Sequence, residues 1–245
     1  MTDSQSFPQA QAHGDLVEVF PGIHFVTGTV AISGPVPARF SRNMTVLVED
    51  GDVTLVNTIR LGEAGLKALE GLGRVKHVLR LAGFHGMDDP FYKDRYQAKV
   101  WSVDAPYIAG FDGKGEAYFS PDVVLDDDTA LPVKDARLAL FKSASTGEGL
   151  LLIEREGGIV VSGDCLQNWA RTNRYFNLPA RLLMRLMGFI KPHNIGPGWL
   201  KAAKPDPAEV RRILSELDFE HVLPAHGDPV TGNAKQLYAP VIAKL

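Results

Sequence analysis

Two histidines and two aspartates stand where short turns follow apolar runs. They are His85 and Asp88 in Gly83-Phe84-His85-Gly86-Met87-Asp88, Asp164 in Ser162-Gly163-Asp164, and His226 in Leu223-Pro224-Ala225-His226-Gly227. Imidazole and carboxylate hold divalent ions, and two histidines with one carboxylate can hold one ion while leaving a position open. An ion so held lowers the pKa of a bound water and polarises a substrate oxygen. Asp88 or its neighbour Asp89 could then orient that water or move its proton.

Other residues invite a chemical reading and each has a plainer one. Cys165 follows Asp164 directly; a neighbouring carboxylate raises a thiol's pKa, so Cys165 reads as a buried structural cysteine. His24, His77 and His221 fall in expected strands and read as core-edge or surface residues. His193 follows Pro192 in a loop and is a candidate to cover a cleft, while Arg171, Arg174 and Tyr175 are candidates to contact an anionic substrate group. Asp126-Asp127-Asp128 lacks the alternate spacing and turn glycine of a calcium loop and reads as a solvated turn. Gly110, Gly113 and Gly115 do not lead from a strand into a helix, which excludes a phosphate loop.

The elements that must position these residues follow from periodicity. Leu16–Val19, Ile23–Val26 and Met44–Val48 are strand-like, and Glu49-Asp50-Gly51-Asp52 turns the last of them into Val53–Val56 as a hairpin. Ala64, Leu66, Leu69 and Leu72 have helical spacing, closed by Gly71 and Gly73, and Val75–Leu81 is a strand that leads to His85. A helix is expected from Pro90 and a strand over Lys99–Val103, followed by a Gly-, Asp- and Pro-rich surface excursion over 110–136. Strands over Leu138–Lys142, Leu150–Glu154 and Ile159–Val161 come next.

Residues 178–191 form a basic amphipathic stretch. Its stripe is Leu182, Leu183, Leu186, Met187 and Ile190, expected to cover the sandwich or line the mouth of a cleft, with a dimer contact as the next reading. Three basic residues, Arg181, Arg185 and Lys191, make a membrane surface the weakest of the readings. Asp206-Pro207-Ala208-Glu209 opens a further helix to about Asp218, with an Asp cap and proline at the first position. Phe219–Leu223 is then a strand ending near His226, and a closing helix is expected from Asn233.

Bulk composition excludes several classes. The chain has 245 residues, 45% hydrophobic and 22% charged, ordinary for a globular protein with a sizeable core. A net charge of -3 and a pI near 6.2 give no reason to expect nucleic acid or an anionic membrane. A single cysteine rules out an internal disulfide and suits a cytoplasmic setting. No segment has 18 consecutive apolar residues, so no membrane span is expected. Residues 1–14 read as a flexible lead-in, and 15–245 as one domain.

Over residues 16–235 the chain resembles the metallo-β-lactamase superfamily, in particular a divergent branch without the full metal motif. Asn43–Val48 with Val53–Thr58 resembles that family's opening hairpin, with Asn57 in the place of its Asp. The resemblance implies an αββα four-layer sandwich, two mixed sheets face to face with helices outside. The family's His-x-His-x-Asp-His motif falls on Gly83 to Asp88, with Gly83 on the first His, His85 on the second, Met87 on the Asp and Asp88 on the last His. A one-residue shift would instead place Asp88 and Asp89 on the last two ligands and leave His85 unmatched. Ser145 stands where the next family His should be, Asp164 on the bridging carboxylate and His226 on the final His.

The ligand set thus expected is His85, Asp164 and His226, with Asp88 as fourth ligand or proton shuttle. It implies at most one divalent ion (zinc, iron or manganese) or none. The function expected is hydrolysis of a small ester, thioester, lactone or phosphoester, and the rival is a non-catalytic protein that binds a small molecule or plays a structural part. No nucleic-acid or membrane partner is expected, and a homodimer is left open.

Overall fold

The structure, a computed structural model, describes residues 7–32, 37–108 and 115–245. In chain order it contains β1 (Val17–Phe20), β2 (Ile23–Ile32), β3 (Ala38–Glu49), β4 (Asp52–Val56), α1 (Glu63–Leu72), β5 (Arg74–Arg80), α2 (Asp89–Tyr96), β6 (Lys99–Ser102), β7 (Tyr107–Ile108), β8 (Ala117–Phe119) and β9 (Val123–Val124). The second half contains β10 (Ala136–Leu140), β11 (Gly149–Ile153), β12 (Ile159–Ser162), β13 (Leu166–Gln167), α3 (Leu178–Leu186), β14 (Asn194–Ile195), α4 (Pro197–Ala203), α5 (Pro207–Glu216), β15 (His221–Pro224), β16 (Val230–Thr231) and α6 (Ala234–Ile242).

Two sheets carry the fold. One runs β1-β2-β3-β4-β5-β6-β9 and the other β10-β11-β12-β15-β16, and both mix parallel and antiparallel pairs. Side chains alternate across each strand, so every central strand feeds two apolar layers. Leu151, Ile153, Ile159, Val161 and Leu223 pack with Phe25, Leu47, Val56, Leu79 and Trp101 between the sheets. Leu150, Leu152, Val160 and Val222 point the other way, against Trp199 of α4, Val210 and Leu214 of α5 and Tyr238 of α6. On the far face of the first sheet, Val46, Leu55, Val78 and Val100 meet Leu66 and Leu69 of α1 and Tyr92 of α2. Three apolar layers between four structural layers make the αββα sandwich.

Most of the expected elements stand where periodicity puts them. The Asp206 side chain accepts the Ala208 amide hydrogen and so caps α5 as its sequence predicts. Three differences matter for function. First, β3 begins at Ala38 rather than Met44 and pairs with the whole of β2, from Ile32 opposite Ala38 to Ile23 opposite Leu47. Its first half carries buried Ser41, Arg42 and Asn43, which give no apolar alternation but find partners across the fold.

Second, the excursion expected over 110–136 contributes strands in its described part, and β9 adds to the edge of the first sheet beside β6. Strands of two or three residues leave no period to read. Gly110 and Gly113 lie outside the described residues, as do residues 1–6 of the lead-in. Third, the rest of the lead-in does not stand free. The Gly14 amide donates to the Thr27 carbonyl, and His13 Nε2 accepts from the Gly62 amide at 2.8 Å.

The amphipathic stretch forms α3, capped by Asn177 and stopped before Gly188, whose φ is +78°. Ala180 and Met184 are its buried residues, packed with Trp169 and Phe176. Leu182, Leu183, Leu186 and Met187 of the expected stripe are exposed. No helix among the described residues is long and apolar enough to cross a membrane.

Candidate metal centre

Two strand ends and one loop bring the candidate residues together. Asp164 follows β12, His226 follows β15, and His85 lies in the loop between β5 and α2. β12 and β15 are parallel neighbours, with Ser162 opposite Pro224, so Asp164 and His226 leave the same edge of the sheet side by side. The His85 loop is held from below by Arg80, which is 1% exposed. Its guanidinium donates to the carbonyls of Ala82, Gly83, Ala105 and Pro106 and lies over the Tyr107 ring. Asn57, at the end of β4, accepts from the Leu81 amide and donates to the Ser162 carbonyl, tying the two sheet edges together.

The three side chains offer donor atoms that all lie within 4.8 Å of one another. His226 Nε2 is 3.1 Å from Asp164 Oδ1, and His85 Nε2 is 3.4 Å from Asp164 Oδ2. Ligand bonds of about 2.0–2.2 Å would separate tetrahedral donors by about 3.4 Å, which these spacings match. All three residues are buried.

The protonation states fit an ion. His226 Nδ1 is 3.2 Å from the Ser41 carbonyl. A carbonyl only accepts, so Nδ1 carries a proton and the ring turns Nε2 toward Asp164. Nε2 and the carboxylate oxygen face each other across 3.1 Å, a separation that a proton or a metal ion bridges. Asp164 Oδ2 is buried with no hydrogen-bond partner. Burial pushes the His85 pKa down, more than the Asp164 charge pushes it up. Burial also opposes ionisation of Asp164, but His85 and His226 together outweigh it and hold the carboxyl below its ordinary range. A neutral imidazole and an ionised carboxylate are the forms that bind metal.

The remaining sequence candidates lie elsewhere. Asp88 sits at the N-cap of α2 without capping it. Its Oδ2 accepts from the Arg42 guanidinium and, at 2.9 Å, from the Arg60 amide, and it does not join the three converging side chains. Asp89, the residue of the shifted register, accepts from Thr58 and Tyr107, and burial pushes its carboxyl up. Arg171 is exposed, and Arg174 meets Tyr175 at the surface. His193 rests its ring on Tyr238. None of these three lines the cavity beside the metal candidates.

At the Gly83 position there is no room for a side chain: an added Cβ would fall 1.8 Å from the Thr146 carbonyl oxygen. Ser145 donates to the Ala203 carbonyl. Met87 lines the cavity. Cys165 is fully buried, and burial, with Glu148 beside it, pushes its thiol up.

Sequence reasoning missed Glu148. It is 2% exposed, accepts from the Cys165 amide at 2.9 Å, and leaves its other oxygen without a partner. Burial first, and then the Asp164 charge, push its carboxyl well above the usual range. A lone acid between Gly147 and Gly149, beside the place assigned to a ligand, is the signal that could have found it. Also missed was the apolar wall of the site. A cavity of about 340 Å³ opens on His85, Asp164 and His226, bounded by β2, β3, α3 and α4. Its residues come from segments scattered from Val30 to His226, so no local pattern announces it.

No protein-family model matches the sequence, and no curated protein sequence matches it. Solved structures do. A metallo β-lactamase from Erythrobacter litoralis superposes with a TM-score of 0.59 at 12% identity, covering 96% of both chains. One from Hirschia baltica gives 0.56 at 12% identity, covering 93% of this chain and 97% of the other. The mono-zinc form of FIM-1 from Pseudomonas aeruginosa gives 0.57 at 13% identity over 97% of each chain. At such identities the likeness speaks for architecture alone, and the architecture is unambiguous: this chain has the metallo-β-lactamase fold.

Proposed function

We propose that the protein is a metal-dependent hydrolase with a reduced, mononuclear site, acting on a small ester, thioester, lactone or phosphoester. The observation that carries this reading is the pairing of His226 Nε2 with Asp164 Oδ1 at 3.1 Å, while Nδ1 is committed to Ser41. That arrangement turns Nε2 onto the carboxylate in a buried site that holds a cation, with Asp164 Oδ2 3.4 Å from His85 Nε2.

His85, Asp164 and His226 would hold the ion. When bound there, a divalent ion supplies an acidified water and polarises the scissile carbonyl or phosphoryl group. Zinc, iron and manganese all suit two imidazoles and a carboxylate. The Ser41 carbonyl fixes the ring of His226, and Arg80 fixes the loop of His85, so both rings are oriented before substrate arrives. Asp88 serves through Arg42: the ion pair anchors the start of α2 to β3 rather than reaching the reacting atoms.

The crowding of Gly83 against Thr146 and the commitment of Ser145 to Ala203 favour one ion over two. A metal-free binding protein is the rival, favoured by the apolar cavity. The test is turnover of p-nitrophenyl acetate, a thioester, a lactone and a phosphodiester by zinc-, iron- and manganese-loaded protein. Hydrolysis of one class, abolished by chelation and absent in His226→Ala, is expected. No hydrolysis of any class under any loading would overturn the reading.

A further inference from the structure

We infer that the cavity beside the three metal candidates is a chain-binding site, and that the substrate is an ester or thioester of an apolar acyl chain. The reaction half of this inference rests on the hydrolase reading; the chain-binding half stands without it.

The cavity is lined on nearly every side by carbon. Val30 and Phe40 come from the sheet edge, Leu183 and Met184 from α3, and Trp169 and Trp199 from the loop after β13 and from α4. Its polar contributors are few: His85, Asp164 and His226, with Arg42 tied to Asp88 and Gln167 beside Asp164. A volume of about 340 Å³ suits a small elongated ligand. An acyl compound matches this division, with its chain against the apolar walls and its carbonyl at the His85–Asp164–His226 cluster.

A sugar or a nucleotide would bring many more hydroxyls than these walls can pair. An acyl chain brings none.

The reaction conserves its atoms simply. Water oxygen bonds to the acyl carbon, the acyl–oxygen or acyl–sulfur bond breaks, one water proton leaves with the alcohol or thiol, and the other is released as the carboxylic acid ionises. No oxidant or further reactant enters.

The test separates chain from metal by using neutral probes. Hexanol, octanol and decanol are titrated calorimetrically into the full chain, as purified and after chelation, alongside Leu183→Glu and Ala202→Trp. Leu183 is half-exposed at the cavity mouth and Ala202 is exposed on α4, so both changes leave the core intact, which unchanged melting temperatures would verify. Each added methylene should tighten binding about fourfold, the equivalent of about 0.8 kcal/mol, until the chain fills the cavity. Both variants should weaken decanol binding at least tenfold, with metal content unchanged. Binding that ignores chain length, or that survives both variants, would overturn the chain site. Chain binding without metal uptake by the parent would sink the hydrolase reading and leave the chain site standing; metal uptake without chain binding would do the reverse.

Discussion

Replacing Arg42 by Met tests whether Asp88 anchors the site or serves the ion. The two residues form a buried ion pair with side chains 8% and 2% exposed. Removing one partner of such a pair costs about 3–5 kcal/mol, because a charge is left buried alone. Asp88 keeps the Arg60 amide as a donor, so Arg42→Met should fall at the low end, about 3 kcal/mol. For a chain of this size that lowers the melting temperature by roughly 6–12 °C. Asp88→Asn strands the arginine instead and should cost a similar amount. The double variant buries no lone charge and should cost only about 1 kcal/mol more than the parent, a coupling of several kcal/mol. Urea unfolding of the four proteins measures the cycle, and metal content measured on the same samples should not change. Additive effects, or a single-variant loss under about 1 kcal/mol, would refute the anchoring role. Loss of metal in Asp88→Asn with its stability intact would return Asp88 to the ligand set.

Arg80→Met removes the donor for four buried or part-buried carbonyls around the His85 loop and should destabilise by about 4 kcal/mol, with weaker metal retention, as thermal unfolding and elemental analysis would register. A loss under about 1 kcal/mol would contradict that support. Burial raises the Glu148 carboxyl well above its ordinary 4.5, so the folded protein holds a proton that the unfolded chain gives up above that pH. Its contribution is therefore complete at low pH and lost as pH rises, and Glu148→Gln should flatten the fall in melting temperature between pH 5 and pH 8; an unchanged slope would contradict the burial argument. Ser145→Ala should leave metal content unchanged, because its hydroxyl serves only the Ala203 carbonyl.

The sandwich was legible because its central strands are continuous apolar runs and α5 opens on a side-chain cap that the sequence announces. Leu150–Ile153 and Ile159–Val161 could only be buried strands, and Asp206-Pro207 could only open a helix. The His85, Asp164 and His226 convergence was legible through the resemblance, because each follows a strand and strand ends share an edge. What escaped reading depends on contacts between distant segments. The first half of β3 is polar, yet it is fixed because Trp169 Nε1 donates to Ser41 and Asn43 donates to the carbonyls of Pro224 and Gly227. The resemblance placed Asp88 on a ligand position, and nothing local reveals that Arg42, 46 residues away, claims it. Glu148 drew no reading, because nothing local shows that the fold buries it beside Asp164 and Cys165. The stripe on α3 shows the converse, since Leu182 and Leu186 are spaced for burial while the helix turns Ala180 and Met184 inward.

The account stands or falls on one measurement: elemental analysis of the parent protein, purified without a His-tag, beside His85→Ala and His226→Ala. About one equivalent of zinc, iron or manganese in the parent, lost in both variants, is the predicted result. A parent free of metal even after incubation with excess ion, or variants that keep the parent's ion, would contradict it.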